Sequence, residues 1–161
     1  MKDEATHQPI LYEVIQQTTG PILELGAGYS STQQIHTLAQ DRNILTVDDN
    51  QEWLDNFKHL ETPHHRFTLL SEELFKIHGH NWKVVLVDLS TWDQRMWAIE
   101  QLRYRADYII IHDAQDKNLG RFFDYFREYR VSDFPFPTTL LGSNTYDLEN
   151  INVEGATIIN R

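Results

Sequence analysis

Residues 21–39 constrain the fold of this chain more than any other segment. The apolar run Pro21–Leu25 predicts a short buried strand, and Gly26 and Gly28 come soon after it. Glycine allows the backbone to turn tightly and lets a ligand approach it closely. Ser30–Ala39 then predicts a helix, whose free N–H groups and positive dipole end would face the same turn. The segment therefore has the pattern of a strand, a turn and a helix that together can hold a ligand.

Apolar and amphipathic stretches alternate along the rest of the chain. The run Val84–Val87 is apolar without alternation, which is typical of a strand covered on both faces. The predicted strands are Pro21–Leu25, Asn43–Asp48, Arg66–Leu70, Lys83–Asp88, Tyr108–Ile111, Phe136–Leu141 and Ala156–Ile159. The predicted helices are Pro9–Gln17, Ser30–Ala39, Gln51–Leu60, Asp93–Tyr104 and Leu119–Arg130. Ser31 and Gln34 have the spacing of a capping box at the start of the second helix.

This order of elements predicts an α/β fold. Strands that alternate with helices form right-handed crossovers and a parallel sheet with helices on both faces. The last two predicted strands are joined by the helix-free stretch 142–155, which indicates an antiparallel hairpin. We therefore expect one domain, residues 1–161, with a Rossmann-like three-layer sandwich. Its seven-stranded sheet would be mostly parallel and would end in a C-terminal antiparallel hairpin.

Charge and composition exclude several classes of protein. The formal net charge of −10 makes nucleic acid a poor partner, because phosphates are repelled. The absence of cysteine excludes disulfides, thiolate zinc sites and a cysteine nucleophile. The N-terminus lacks the apolar segment of a signal peptide, and no apolar run approaches the about 20 residues that span a bilayer. We expect a soluble, cytoplasmic protein without membrane contact. His64-His65 and His78-Gly79-His80 indicate solvated loops rather than zinc sites.

Polar residues stand where the predicted strands end. Ligands of open α/β sheets bind outside the carboxyl ends of the strands. The residues at these ends are Glu24–Gly28, Asp48-Asp49, Ser71-Glu72, Asp88 and His112-Asp113. Asp48 lies twenty residues after Gly28, which is the expected place for an acid that accepts hydrogen bonds from ribose hydroxyls. The strand ends therefore predict a site for an adenosine-containing cofactor.

The glycine turn distinguishes between such cofactors. A dinucleotide fingerprint has Gly or Ala three positions after the second glycine, where this chain has Ser31, and the bulky Tyr29 intervenes. Glu24, just before the first glycine, would repel a pyrophosphate but suits an ammonium group. A ligand with a ribose and an α-amino group and without phosphate fits better, and S-adenosylmethionine is that ligand. A nicotinamide oxidoreductase is correspondingly disfavoured.

These residues resemble a known family. Ile22–Gly28 resembles motif I of the class I S-adenosylmethionine-dependent methyltransferases, Asp48 their ribose-binding acid and Asp88 their motif at the fourth strand. The resemblance covers nearly the whole chain. His7-Gln8-Pro9 and Ile109–Asp113 are similar to a small methyltransferase-like branch, and fainter similarity links the His-Asp pair to plant polysaccharide methyltransferases. The resemblance implies cofactor binding by Glu24, Gly26, Ala27, Gly28, Asp48, Asp49, Ser71, Glu72 and Asp88.

The chain departs from the family pattern at three points. Ser30 replaces the third glycine of motif I, and the third strand ends in Ser71-Glu72 where many members place an acid first. An Asn-Pro-Pro-Tyr motif is absent, so an amino group on a base or on glutamine is not the expected acceptor.

The candidate catalytic residues are His112, Asp113 and Asp88, because the ends of strands four and five flank the methyl donor in this fold. His112 could remove a proton from the acceptor, or it could fix the loop by hydrogen bonds. Asp88 and Asp113 are also weak candidates for holding a divalent metal. The metal-dependent branch has Asn or Asp where this chain has Ala114, so we predict no metal.

Arg95 and Trp92 are the candidate substrate residues. Arg95 could pair with a carboxylate or sulfate of the substrate, or with Asp88 or Asp93 of its own chain. Trp92 could form a wall of the acceptor pocket or belong to the core. The predicted function is O-methylation of a small-molecule or glycan-like acceptor; the alternative is an inactive relative that serves as a binding or assembly module. Few residues remain to build an acceptor site, which favours a large acceptor lying across an open crevice, a homo-oligomer that completes the site, or no catalysis.

Overall fold

The computed structural model describes residues 6–71, 80–114, 122, 124–132, 138–149 and 151, together with the backbone of residues 156–160. Its strands are β1 Ile22–Leu25, β2 Ile44–Asp48, β3 His65–Leu69, β4 Trp82–Val87, β5 Ala106–Ile111, β6 Glu128–Ser132, β7 Thr139–Ser143 and β8 Ala156–Asn160. Its helices are α1 Gln8–Gln16, α2 Ser31–Leu38, α3 Gln51–Asp55 and α4 Trp92–Leu102, with a 3₁₀ turn at Lys58–Leu60. The predicted helix Gln51–Leu60 is thus divided between α3 and the 3₁₀ turn.

All eight strands form one sheet, in the order β3-β2-β1-β4-β5-β7-β6-β8. The first five strands of that order are parallel to one another. Strand β7 is antiparallel to β5 and to β6, and β8 is antiparallel to β6. The predicted Rossmann-like fold class, with a mostly parallel sheet and an antiparallel C-terminal part, is confirmed.

Helices cover both faces of the sheet. Alternate residues of each strand face opposite sides, so each strand contributes apolar side chains to both layers of the core. On one face, α1 and α2 bury Leu11 and Ile35 against Ile22 and Leu86. On the other face, α4 buries Ile99 in a second cluster, which includes Val85 of β4 and Ile109 of β5. The three layers that the sequence predicts are therefore present. Within the described ranges, no helix combines the length and the apolar character that crossing a membrane requires.

The antiparallel end of the sheet differs from the prediction in two ways. Glu128–Ser132, placed at the end of a helix by the sequence, is strand β6, so the described part of the chain forms a sheet of eight strands where seven were predicted. The last two strands are not partners, because β6 lies between β7 and β8, and the hairpin is formed by β6 and β7. Tyr129 and Val131 pack in the core on one face of β6, an alternating pattern that tertiary pairing favours over the local helical spacing of aromatic residues. Residues 119–121, 123, 136 and 137 of the two predicted elements lie outside the described residues.

The start of α2 also differs from the prediction. Ser30 is the N-cap residue, and its side chain makes no capping hydrogen bond. The hydroxyl of Ser31 donates instead to the Glu24 carboxyl, 2.5 Å away. A capping box is present at α4, where Thr91 and Gln94 bond each other's backbone N–H groups. The buried carboxyl of Glu24 therefore accepts the hydrogen bond of the Ser31 hydroxyl, which the sequence predicted would cap the helix.

Candidate functional site

The turn after β1 requires glycine at Gly26. Gly26 has φ +96°, and its N–H donates to the carbonyl of Val47 over 2.7 Å. A β-carbon there would overlap the carbonyl oxygen of Asp88. At Gly28 the φ angle is unremarkable, and a β-carbon would meet only the Ser31 hydroxyl at 3.2 Å. Gly26 therefore lets the turn pack directly against the end of β4.

All three N–H groups of this turn are already engaged. Gly26 donates to Val47, Ala27 donates to Asp48 Oδ2 over 2.9 Å, and Gly28 donates to the Thr32 hydroxyl over 3.0 Å. A phosphate cradle needs free N–H groups in the turn that surrounds the anion. The turn thus lacks the donors that would hold a pyrophosphate.

Asp48 and Asp49 end β2 beside the turn. Besides Ala27, the backbone N–H of Asn50 donates to Asp48 Oδ1 over 3.0 Å. Asp49 is exposed and accepts hydrogen bonds from Gln94 and Ser90. Burial raises the pKa of Asp48 and outweighs these backbone donors, and the charge of Asp49 raises it further. In the part of the chain that the structure describes, no Lys, Arg or His forms an ion pair with either acid.

Glu24 lies beneath the turn rather than at its surface. Its side chain is 0% exposed, and it accepts hydrogen bonds from the hydroxyls of Ser31, Thr32 and Thr46. Burial raises the pKa of Glu24 to about 7, although the three hydroxyls oppose this shift. The predicted contact between Glu24 and the cofactor stays a prediction. The structure adds that this carboxyl supports the turn and the first residues of α2 from below.

Thr46 connects Glu24 with two histidines that the sequence did not assign to the site. Thr46 Oγ1 lies 2.7 Å from Glu24 Oε2 and 2.9 Å from His65 Nε2, and His65 Nδ1 lies 3.0 Å from His36 Nδ1. His65 is 1% exposed, so its assignment to a solvated loop was wrong. The predicted strand began at Arg66, whereas β3 begins at His65, which is the buried residue of this strand. His64 and His80 are exposed as expected, whereas His78 and Gly79 lie outside the described residues.

The predicted catalytic residues come together at the ends of β4 and β5. His112 Nδ1 lies 3.2 Å from Asp88 Oδ1, close but not aligned as a hydrogen bond. On the other side of the ring, His112 Nε2 lies 3.1 Å from the hydroxyl of Thr6. His112 is 4% exposed. The ring is thus held between a carboxylate and a hydroxyl.

Asp113 completes this group. It has φ +55°, a conformation that non-glycine residues adopt uncommonly and that functional sites often contain. Its carboxylate lies 3.8 Å from His112 Nε2. Ligand atoms of Asp88, His112 and Asp113 all lie within 4.8 Å of one another, so the group has the spacing that could hold a metal ion. A positive charge is already present, because the Arg95 guanidinium lies 3.0 Å from Asp88 and 3.9 Å from Asp113.

The Arg95 side chain is largely engaged in hydrogen bonds within its own chain. It is 8% exposed, and besides Asp88 it donates to the carbonyls of Leu89 over 2.5 Å and His112 over 2.8 Å. The ion pair with Asp88, which we predicted as the alternative to a substrate contact, is present. Trp92 lies 4.9 Å from the Arg95 guanidinium and packs against the core. Arg95 therefore fixes the ends of β4 and β5 relative to each other.

His7, at the start of α1, lies against the group of candidate catalytic residues. Its ring is 4.7 Å from the His112 ring and nearly perpendicular to it. His7 is 2% exposed, and neither ring nitrogen has a hydrogen-bond partner among the residues that the structure describes. Burial is the main cause that lowers the pKa of His7 to about 4. The sequence offered two roles for His7, closing over the methionine end of the cofactor or helping to begin the helix, whereas Thr6 was not among the predicted site residues.

Ser71 lies at the edge of the crevice. With Leu70, Asp93, Gln94 and Trp97 it lines a hollow of about 340 Å³ between the end of β3 and the start of α4. This volume is at the lower end of the range for small-molecule sites. Glu72, the other predicted cofactor residue of this strand end, lies outside the described residues.

Comparison with solved structures identifies the fold. An rRNA methylase from Streptococcus thermophilus is 14% identical with a TM-score of 0.59, over 89% of this chain and 98% of that chain. A precorrin-6y C5,15-methyltransferase from Geobacter metallireducens is 12% identical with a TM-score of 0.61, over 84% of this chain and 88% of that chain. The chain has the fold of the class I S-adenosylmethionine-dependent methyltransferases.

Other comparisons limit what this methyltransferase fold implies. A spermidine synthase from Thermotoga maritima is 11% identical with a TM-score of 0.63, over 98% of this chain and 69% of that chain. The sequence itself matches no family model and no curated protein. Identities this low show the fold and leave the reaction to be argued from the site.

Proposed function

We propose that this chain is an S-adenosylmethionine-dependent methyltransferase that methylates a hydroxyl of a small-molecule or glycan-like acceptor. The observation that carries the proposal is the glycine turn, whose N–H groups are all engaged, with the acids Asp48 and Glu24 beside it. Such a site disfavours phosphate and suits a cofactor with positive charges and a ribose. S-adenosylmethionine has both features.

The residues that would hold the cofactor follow the crevice. Asp48 and Asp49 have spare lone pairs and no cationic partner among the described residues, so they suit the ribose hydroxyls. The hollow beside Ser71 has the apolar side chains of Leu70 and Trp97 and suits the adenine ring. Glu24 would balance positive charge from beneath the turn. When bound, the cofactor supplies an electrophilic methyl group.

His112 would act as the base for the acceptor. Asp88, held by Arg95, lies at Nδ1 and favours the tautomer that carries its proton there, which leaves Nε2 to accept a proton. The Thr6 hydroxyl already lies 3.1 Å from Nε2, so the site accommodates a hydroxyl at that atom. Contacts of catalytic groups are often looser before the substrate binds, which accounts for the imperfect alignment of Asp88.

One observation favours the alternative, an inactive binding or assembly module. His112 is 4% exposed and is covered by Thr6 and His7. An acceptor can reach it only if the start of α1 moves. If it does not move, the chain would bind the cofactor without transferring a methyl group.

Transfer of labelled methyl from S-adenosylmethionine to a panel of monosaccharides, oligosaccharides and catechols tests the proposal. We expect product with a hydroxyl acceptor, and a loss of roughly 100-fold or more in kcat for His112→Gln, since general base catalysis contributes about that much. His64→Gln, an exposed histidine, is the control and should keep the wild-type rate. Cofactor binding without transfer to any acceptor would instead support the inactive module.

A further inference from the structure

A line of hydrogen-bonding side chains runs from the buried Glu24 carboxyl to the surface of α2. Glu24 and Thr46 face each other in register on the neighbouring strands β1 and β2. His65 follows on β3 and His36 on α2. The three successive contacts are 2.7, 2.9 and 3.0 Å long. Each is within hydrogen-bond distance, so the line is continuous.

The line connects a closed environment with an open one. Glu24 is 0% and His65 is 1% exposed, whereas His36 is partly exposed. Among the described residues, the charge of Asp88 contributes to raising the pKa of Glu24, and His36 contributes to lowering the pKa of His65. Ser31 and Thr32 contact Glu24 from α2, and Phe67 stacks on His65 from β3. Among the described residues, this line of side chains therefore connects a proton on Glu24 with solvent.

Two proton arrangements satisfy every contact. With Glu24 protonated, its hydroxyl donates to Thr46, Thr46 donates to His65 Nε2, and the Nδ1–H of His65 donates to His36 Nδ1. With Glu24 ionised, all three bonds reverse: His36 Nδ1–H donates to His65 Nδ1, His65 Nε2–H donates to Thr46, and Thr46 donates to Glu24. His65 is neutral in both arrangements but carries its proton on different nitrogens. The interconversion moves one proton from Glu24 to His36, and Nε2 of His36 then releases one to water.

We propose that Glu24, Thr46, His65 and His36 form a proton path, and that binding of a cationic cofactor above Glu24 releases a proton to solvent through it. The second part rests on the proposed function. A positive charge in the crevice favours the carboxylate form of Glu24, and by linkage a higher pH favours the cofactor. The polar line therefore couples occupancy of the cofactor site to the protonation of a fully buried residue.

The proton path is tested without any cofactor. In the full chain labelled with ¹⁵N-histidine, the ring nitrogen shifts of His65 report which nitrogen carries the proton. We expect Nε2–H at pH 8.5 and increasing Nδ1–H towards pH 6.5, because burial raises the pKa of Glu24 to about 7. Thr46→Val should abolish this change, and Thr68→Val, a threonine on β3, should preserve it. A His65 ring that keeps one tautomer across this range in the wild-type protein would overturn the path.

Titration calorimetry with S-adenosylmethionine, in buffers of different ionisation enthalpy, tests the coupling. Glu24→Gln reports the protons that the cofactor's own amino group gains or loses on binding. Between pH 6.5 and 8.5 we expect the affinity of the wild type, relative to that of Glu24→Gln, to rise roughly fourfold, as linkage to one group of pKa about 7 requires. Equal proton release by wild type and Glu24→Gln would contradict the coupling. No binding at any pH would contradict the proposed function and the coupling, but the His65 result would still decide the path.

Discussion

His112 Nδ1 lies 3.2 Å from Asp88 Oδ1, although the two residues follow different strands. Strands β4 and β5 are parallel neighbours, so their carboxyl ends lie at the same edge of the sheet. Arg95 bonds to Asp88, Leu89 and the carbonyl of His112, and it thereby joins both ends. The candidate base and its carboxylate are thus positioned by one buried guanidinium.

Arg95→Met should strongly destabilise the protein. The substitution leaves two buried carbonyls and the Asp88 carboxylate without their donor, and breaking a buried ion pair in this way costs about 3–5 kcal/mol. Arg66→Met is the matched control, because the Arg66 side chain is 68% exposed and its ion pair with Glu61 is worth at most about 1 kcal/mol. Urea unfolding at pH 7 measures both. Similar losses for the two variants would mean that Arg95 does not hold the strand ends together.

Alanine should have different effects at the two glycines of the turn. Gly26→Ala places a β-carbon on the Asp88 carbonyl in a backbone conformation that alanine disfavours, so a loss of about 3 kcal/mol or more is expected. Gly28→Ala meets only the Ser31 hydroxyl and should cost about 1 kcal/mol or less. Thermal unfolding of the two variants gives the comparison. Equal stability would show that the turn does not pack against β4 as described.

Buried histidines should make the fold less stable at acid pH. Burial lowers the pKa of His7 and of His65 to about 4. Between pH 6.5 and 4 the unfolded chain binds protons at these residues and the folded chain does not, so stability falls as pH decreases through this window. Each histidine contributes roughly 1.4 kcal/mol per pH unit to the slope.

The variant His7→Gln/His65→Gln isolates this contribution. Its free energy of unfolding, measured in urea at pH 7, 6 and 5, should decrease less steeply than that of the wild type. Glu24 acts in the opposite direction, because its raised pKa lowers stability as pH rises from about 4.5 to about 7. His65 is connected to Glu24 through Thr46, so the single variant His7→Gln is measured as well, because it removes one buried histidine without changing that connection. If the free energies of unfolding of the wild type and the double variant depended on pH with the same slope, the His7 and His65 rings would accept protons as freely in the folded chain as in the unfolded chain.

The layered α/β architecture could be predicted because it depends on periodicity. Continuous apolar runs such as Val84–Val87 mark strands covered on both faces, and the five parallel strands were placed to within a few residues. Strand β6 was missed because its pairing with β7 and β8 is a long-range property. Locally, the aromatic residues before Tyr129 have the spacing of a helix, and only the neighbouring strands favour the extended form.

The sequence could predict which strand ends the candidate site residues follow, but not which side chains they contact. Residues that follow parallel strands converge at one edge, and so Asp48, Asp88 and His112 could be grouped from their places in the chain. The partners of Glu24 and of His112 could not be found in this way. Single threonines and histidines such as Thr6 and His65 have no periodic signature, and their contacts depend on how α1 and α2 pack on the sheet.

Calorimetric titration with S-adenosylmethionine at pH 8 tests the central claim most directly. We predict saturable binding by the wild-type chain and an affinity about 10-fold or more lower for Asp48→Ala, which loses the acid at the end of β2 and the acceptor for Ala27 N–H. Asp41→Ala, which changes an exposed acid, should bind like the wild type. Circular dichroism would verify that each variant is folded. No heat and no shift in Tm with the wild-type protein would contradict the account of the crevice as a cofactor site.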